Sequence, residues 1–285
     1  MESFSILGLG GGGIKGYLQI GVLEDLELLV GPLHEHFKDG IYGCSIGSIL
    51  ATAISFGISV SKIKHLFNKF SDINTILGKP DLTKIKDVLV KKGVFDMNNL
   101  ESILIQGFQE FGIDIKTKKL SDALIPLKIT SSNVSKGIST IFQGNVPVLT
   151  AIKCSSCIPL VFRPQLFNGS VYLDGGFITN ILLNVIPKED REKTFCISII
   201  HTKYKISYSS LESMNPLEYL YRLYKTNCVY QSSKNFYYNN LDLSYDKGSG
   251  ITAFTQEEKD EMMLIGRRAF LNFLTKRSFQ KSIQC

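Results

Sequence analysis

The apolar positions along the chain fall into two kinds of run. An unbroken apolar stretch from Phe4 to Leu9 predicts a buried strand. From Ile14 to Val30, apolar or aromatic side chains recur at 14, 17, 18, 22, 23, 26, 29 and 30, while Glu24, Asp25 and Glu27 take the other side. That spacing predicts an amphipathic helix packed on a sheet, ended by Gly31-Pro32. After the Asp39-Gly40 turn signal, Ile41 to Cys44 predicts a short strand, and Ile46 to Phe56 a helix of small and apolar residues. Strand, loop, helix, strand, turn, helix is the order that favours a parallel sheet covered on both faces.

The pattern then changes. Between about 59 and 124 the apolar residues sit at helical spacing (Val60, Ile63, Leu66, Phe67 and Phe70, then Leu100, Ile103, Leu104, Phe108 and Phe111), with no strand expected between them. This predicts a helical, cap-like insertion broken at Gly78-Lys79-Pro80 and Lys92-Gly93. Strands return at Leu127 to Ser131, Ile138 to Phe142, Val171 to Leu173 and Phe195 to Ile200, with a helix opening near Pro147. The tyrosine-rich stretch from Tyr204 to Asn240 is hard to assign beyond a surface helix through Leu217 to Tyr230. Thr255-Gln256-Glu257-Glu258 is a capping-box pattern that opens a last helix, about 255–277. The whole, 1–285, reads as a single α/β domain.

Composition narrows the setting. At 44% hydrophobic and 20% charged residues the chain is ordinary for a globular protein, and 285 residues can bury a sizeable core without disulfides. Its six cysteines are scattered and no secretory signal opens the chain, which points to a reducing, cytoplasmic setting. Cys154 and Cys157 form a lone C-x-x-C without the four ligands of a structural zinc site, so no metal or cofactor is expected. The uncharged span Ile41 to Ser61 is too rich in glycine and serine for a membrane helix. The net charge of +6 is concentrated: between Ser59 and Leu120 eleven lysines face seven acidic residues, and Arg267, Arg268, Lys276, Arg277 and Lys281 form a second basic group. Solvated helix faces explain this, and so does peripheral attraction to an anionic lipid surface. Nucleic acid is disfavoured, because no aromatics are interleaved with the lysines in a recognisable module.

Two stretches carry the chemistry. Gly10 to Gly13 follow the first strand and lead through Ile14, Lys15 and Gly16 into the first helix, where free backbone N–H groups can approach an anion closely. Gly43-Cys44-Ser45-Ile46-Gly47 has the G-x-S-x-G form of a nucleophile elbow, which presents a serine on a sharp strand-to-helix turn. A serine hydroxyl needs a general base within reach. Asp174, before Gly175-Gly176 at the end of a short strand, is the first candidate. His201 is the second, since Ser45, Asp174, His201 matches the chain order of an α/β-hydrolase triad. His34, His36 and His65 have weaker cases. Gly8, Gly10 and Gly13 also satisfy a dinucleotide-binding G-x-G-x-x-G, although the acidic residue that motif expects is not at the end of the second strand: Glu35 falls before it. A P-loop fails, because Lys15 is followed by Gly16.

Taken together, these residues resemble the patatin-like phospholipase family. Gly10-Gly11-Gly12-Gly13-Ile14-Lys15-Gly16 is similar to its glycine-rich oxyanion motif, Gly43 to Gly47 to its G-x-S-x-G, and Asp174-Gly175-Gly176 to its D-G-G/A. Ser155 to Pro164 is similar to the small-residue, Pro, Phe, Pro pattern that precedes that aspartate, whereas Asn180-Ile181-Leu182 keeps only half of the N-x-P that follows it. The resemblance implies a three-layer α/β/α sandwich with a mostly parallel sheet. It implies a Ser-Asp dyad, with Ser45 as nucleophile, Asp174 as general base and Gly11, Gly12 and Gly13 as oxyanion loop. It further implies metal-independent cleavage of fatty acyl esters of phospholipids or related lipids, through an acyl-enzyme that water hydrolyses. A dinucleotide enzyme, a triad esterase and a catalytically silent lipid-binding protein are the competing readings.

Overall fold

The computed structural model describes residues 1, 3–70, 72–78, 90–179, 181–200, 211, 214, 219, 222, 223, 226 and 237–284, with side chains to residue 277. The first apolar run becomes β1 (Ile6–Leu9), buried at every position, as a strand with parallel neighbours on both sides must be. Those neighbours are β2 (Gly40–Cys44) and β9 (Thr194–Ile199). β10 (Asn240–Leu243) extends the sheet beyond β9, and β4 (Leu127–Asn133) extends it beyond β2, again in parallel. Three antiparallel strands complete it: β5 (Ile138–Phe142), β7 (Gln165–Phe167) and β8 (Ser170–Leu173). A mostly parallel sheet flanked by helices is the predicted architecture.

One face of the sheet, through Leu7, Leu9, Ile41, Ile129, Phe195 and Ile197, packs in the main core. Over it lie α1 (Tyr17–Val30), α3 (Ile46–Ser55) and α7 (Val148–Ser156). The other face, through Ile6, Tyr42, Cys44 and Cys196, is covered by Ile181, Leu182, Leu183 and Ile186. It is bounded by the short helix α8 (Lys188–Arg191), whose Asp190 accepts from the Tyr42 hydroxyl at 2.9 Å. Among the described residues this second layer is thin. The predicted helix at 217–230 and His201 lie outside the described residues.

Before β2 stands the short helix α2 (Leu33–His36). The insertion holds α4 (Val60–Phe70), α5 (Ile73–Leu77) and α6 (Asn98–Gln109). It also holds a strand, which corrects the expectation of none: β3 (Gly93–Phe95) pairs in parallel with β6 (Leu160–Phe162), apart from the main sheet. A three-residue strand carries no period for the sequence to display, and only the Lys92-Gly93 break marked its edge.

The expected two-sided character of α1 is also modified. Its residues from Tyr17 to Leu23 are all buried, because the last helix, α9 (Gln256–Gln284), covers what would have been a solvent face. Glu24 is correspondingly enclosed and bonds Arg267 at 2.6 Å and Lys64 at 3.0 Å. Part of the basic charge near the C-terminus is therefore spent inside the fold. The two helices approach at glycines. A methyl group added at Gly21 would lie 2.1 Å from the Met263 carbonyl oxygen, and one at Gly266 would lie 2.1 Å from that of Leu18. No side-chain rotation can relieve a clash with backbone.

Replacing Gly266 by Ala should therefore lower stability by about 1–3 kcal/mol, the usual cost of overpacking, despite the better helix propensity of alanine. Urea unfolding of the variant checks this, and an unchanged midpoint would mean that the helices can separate freely.

Candidate active site

The sequence G-x-S-x-G folds here as a turn with no space for other side chains. Ser45 links β2 to α3 with φ 52° and ψ −125°, a left-handed conformation that costs a non-glycine residue about 1–3 kcal/mol and must be held by its surroundings. The holding contacts are local: the Ser48 amide and hydroxyl donate to the Ser45 carbonyl at 2.8 and 2.6 Å. A Cβ at Gly43 would lie 2.6 Å from the Gly47 carbonyl oxygen, and one at Gly47 would lie 2.1 Å from that of Leu9. Both glycines of the motif are thus demanded by backbone contact. Ser45 ends up 7% exposed.

Asp174 reaches the same place from the opposite direction. β5 pairs with β4 along Ile129–Asn133 and so occupies one edge of that strand over its last five residues. The other edge is shared end to end, by β2 as far as Thr130 and by β8 from Ser132 onward. β2 runs up to this junction and β8 runs down to it, so the residues that follow, Ser45 and Asp174, meet at the level of Ser131. Two residues of strand span only about 7 Å, which brings both side chains within reach of one bound molecule. Gly175 confirms the closeness, since a Cβ there would lie 2.6 Å from Cys44 Sγ. Asp174 is 3% exposed; its backbone amide donates to the Cys157 carbonyl at 2.9 Å, and its Oδ1 accepts from the Gly176 amide at 2.9 Å.

Ser155, at the end of α7, splices the junction. Its hydroxyl accepts from the Ser45 amide at 2.8 Å and donates to the Thr130 carbonyl at 2.7 Å, bridging β2 and β4 where their ladder stops. Ser131 does the same on the aspartate side, with its hydroxyl bonded to the Cys154 and Leu173 carbonyls.

The glycine loop closes the third side. A methyl at Gly11 would stand 3.1 Å from Ser45 Cβ, so the loop passes directly beside the serine. Gly10 is fixed by its amide, which donates to Ile197 O at 2.9 Å, and by the buried Gln19 amide, which donates to Gly10 O and Ile197 O. Gly13 has φ 60° and no space for a Cβ, which would fall 2.2 Å from Gly250 O. That same oxygen accepts from the Ile14 amide at 2.9 Å. Among the described residues, no protein acceptor takes the amides of Gly11, Gly12 or Gly13. Lys15, only 2% exposed, donates to Tyr245 O at 2.6 Å, while Gly16 packs against Ile46. Three donors beside a buried serine and a carboxylate can hold a developing oxyanion while a proton moves between oxygen atoms.

The other candidates stand elsewhere. His34, His36 and Glu35 lie on α2, which precedes β2 and is therefore at the end of that strand remote from Ser45; the end of β2 itself bears no acidic residue. His65 is on α4. Among the described residues no group of three or more His, Cys, Asp or Glu side chains is placed to hold a metal. Cys154 and Cys157 are buried, and the Cys157 thiol donates to the Tyr172 carbonyl at 3.2 Å. Sequence reasoning missed the bracing residues Gln19, Ser131, Tyr245 and Gly250, and saw Ser155 only as part of a pattern. A serine in a helix and a carbonyl in a turn carry no motif.

The chain belongs to the patatin-like phospholipase family: the family model matches residues 7–186. Over 196 residues it is 26% identical to the uncharacterized protein R571 of Acanthamoeba polyphaga mimivirus, covering 67% of this chain and 64% of that protein. Over 206 residues it is 23% identical to the probable lipid hydrolase 463L of invertebrate iridescent virus 6, covering 67% of this chain and 66% of that one. The matched region is thus less than two thirds of either relative's own length. Among solved structures, VipD from Legionella pneumophila shares the fold with a TM-score of 0.59 at 14% identity, over 95% of this chain and 66% of VipD.

Burial pushes the thiols of Cys154 and Cys196 up to about 12, and that of Cys157 well up, because each thiolate would be stranded in apolar surroundings. Alkylation with iodoacetamide at pH 8 should therefore leave these three unmodified in the native protein and label them in denaturant, as peptide mass spectrometry would read. The unfolded thiols ionise near 9.0. The stability they contribute is whole below that pH and should be lost as pH rises towards about 12.

Proposed function

We propose that the protein is a serine lipid acyl hydrolase of phospholipase A type. The observation that carries this reading is the meeting of Ser45 and Asp174 on one edge of β4, beside the unpaired amides of the glycine loop. In the reaction, Ser45 Oγ attacks the ester carbonyl carbon as its proton passes to the Asp174 carboxylate. The amides of Gly11, Gly12 and Gly13 take the oxyanion of the tetrahedral intermediate, each such donor being worth roughly 2.7–4 kcal/mol in comparable sites. Collapse breaks the bond to the alcohol oxygen, which leaves with the proton held by Asp174, and an acyl-serine remains. Water then gives a proton to Asp174 and attacks the acyl carbon; a second collapse releases the fatty acid and returns the proton to Ser45. Glycines 43, 47 and 175 admit the close backbone approaches, the Gly176 amide donates to Asp174 Oδ1, and Lys15 ties the loop to the Tyr245 carbonyl.

The substrate class is supported by the family and by an apolar cavity whose lining includes Ile14 and Ile46, the chain neighbours of the glycine loop and of Ser45. It suits the acyl chain of a phospholipid or related lipid. Peripheral docking on an anionic bilayer through the lysine-rich 59–120 surface, from the cytoplasmic side, is the accompanying reading of localisation. It draws on the lysines beyond Lys64 and Lys69, which already pair with Glu24 and Glu110. No helix among the described residues is long and apolar enough to cross a membrane.

Incubation with labelled phospholipid vesicles in EDTA tests the chemistry. Wild type should release fatty acid, whereas Ser45→Ala and Asp174→Asn should each lower release by about 10³-fold or more while remaining folded. Equal release from Ser45→Ala would refute the dyad, and a His201→Asn variant as inactive as Ser45→Ala would replace it with a triad. Flotation with anionic vesicles should bring the protein up at low salt and lose it as salt rises; binding without turnover would instead favour a silent lipid-binding protein.

A further inference from the structure

Gly107 lies in the interior of α6, between Asn98 and Gln109, and is buried. Its backbone is helical, with no positive φ that would require glycine. Nor is it required by close packing. A Cβ there would stand 3.6 Å from the Leu66 side chain and 3.7 Å from that of Phe70, ordinary van der Waals distances. Unlike Gly21, Gly43, Gly47 and Gly266, it faces no backbone atom that a methyl group would strike. A glycine mid-helix weakens the helix relative to alanine, and a void beside it forfeits packing contacts. Both costs are accepted at one position.

Gly107 lines the apolar cavity of about 100 Å³ between α3, α4, α5 and α6. Gly107, Leu66, Phe70 and Leu104 line one part of it, and Ile14 and Ile46 another, beside the glycine loop and Ser45. An apolar space lined by the residues next in the chain to the serine and to the glycine loop has a chemically defined occupant, the hydrocarbon tail of the ester being cut. Resting on the hydrolase reading above, we infer that Gly107 keeps the deep part of this groove open and sets the longest acyl chain that the protein accepts. A side chain at 107 points into the path of the distal methylenes, far along the insertion from the reacting carbonyl. It selects by excluding length, and its effect grows with the number of carbons displaced.

The experiment compares wild type, Gly107→Ala and Gly107→Leu on p-nitrophenyl butanoate and p-nitrophenyl palmitate in detergent micelles. The ratio of palmitate to butanoate kcat/KM should fall roughly tenfold or more in Gly107→Leu and by less in Gly107→Ala. Gly107→Ala should melt at or above the wild-type temperature, which separates a lost groove from a damaged fold. A ratio unmoved in both variants overturns the inference. If wild type cleaves neither ester, the hydrolase reading fails by itself, and the groove is judged by binding of the fluorescent fatty acid cis-parinaric acid. Weaker binding to Gly107→Leu than to wild type then supports the role of Gly107, and equal binding overturns it.

Discussion

The site depends on two backbones passing in direct contact. The turn after β2 rests on the end of β1, with Gly47 against the Leu9 carbonyl, and the parallel register Leu9 to Gly43 brings the two strand ends to one height. Any side chain at Gly47 would push the elbow off the glycine loop, and with it the serine from the unpaired amides. The loss of conformational freedom that glycine incurs on folding is the cost of this approach. It is met by the continuous core beneath, where β1, β2 and β9 are buried along their lengths.

A second constraint follows from the first. Once β2 must end at Cys44 to make the elbow, the edge of β4 is vacant beyond Thr130, and β8 fills it from the other side. The aspartate arrives opposite the serine because one strand edge is divided between two partners, and the gap in the ladder is filled by the Ser155 hydroxyl. The placing of Asp174 beside Ser45 and the pairing of the sheet are here the same fact seen at two scales.

Much of this was legible in the sequence where local pattern and tertiary demand agree. The strands at Ile41 to Cys44 and Ile138 to Phe142 appear within a residue of expectation, because an apolar run between turn signals has few other outcomes. The short pieces were not legible. β3, β6 and β7 are three residues each, and β10, Asn-Leu-Asp-Leu, reads as polar although it closes the sheet. The acidic side of α1 was expected to meet water, and nothing in the periodicity of that helix could announce that α9 would cover it. Ser45, Asp174 and the glycines stood out because backbone contact restricts what may occupy those positions. Gln19, Gly250 and Gly107 did not, since their importance lies in partners distant along the chain.

The fastening of the glycine loop to Gly250 and Tyr245 sets an order of events for the growing polypeptide. A ribosome that has released the first two hundred residues has released the serine, the aspartate and all four glycines, yet the acceptor for the Ile14 amide is still unmade. Contacts of such sequence separation form late, after the entropy of closing a long loop has been met. An unfinished chain therefore holds Ser45, Asp174 and the four glycines without the fastening that sets the loop beside the serine, and gains it only once β10 and the turn that follows it have docked.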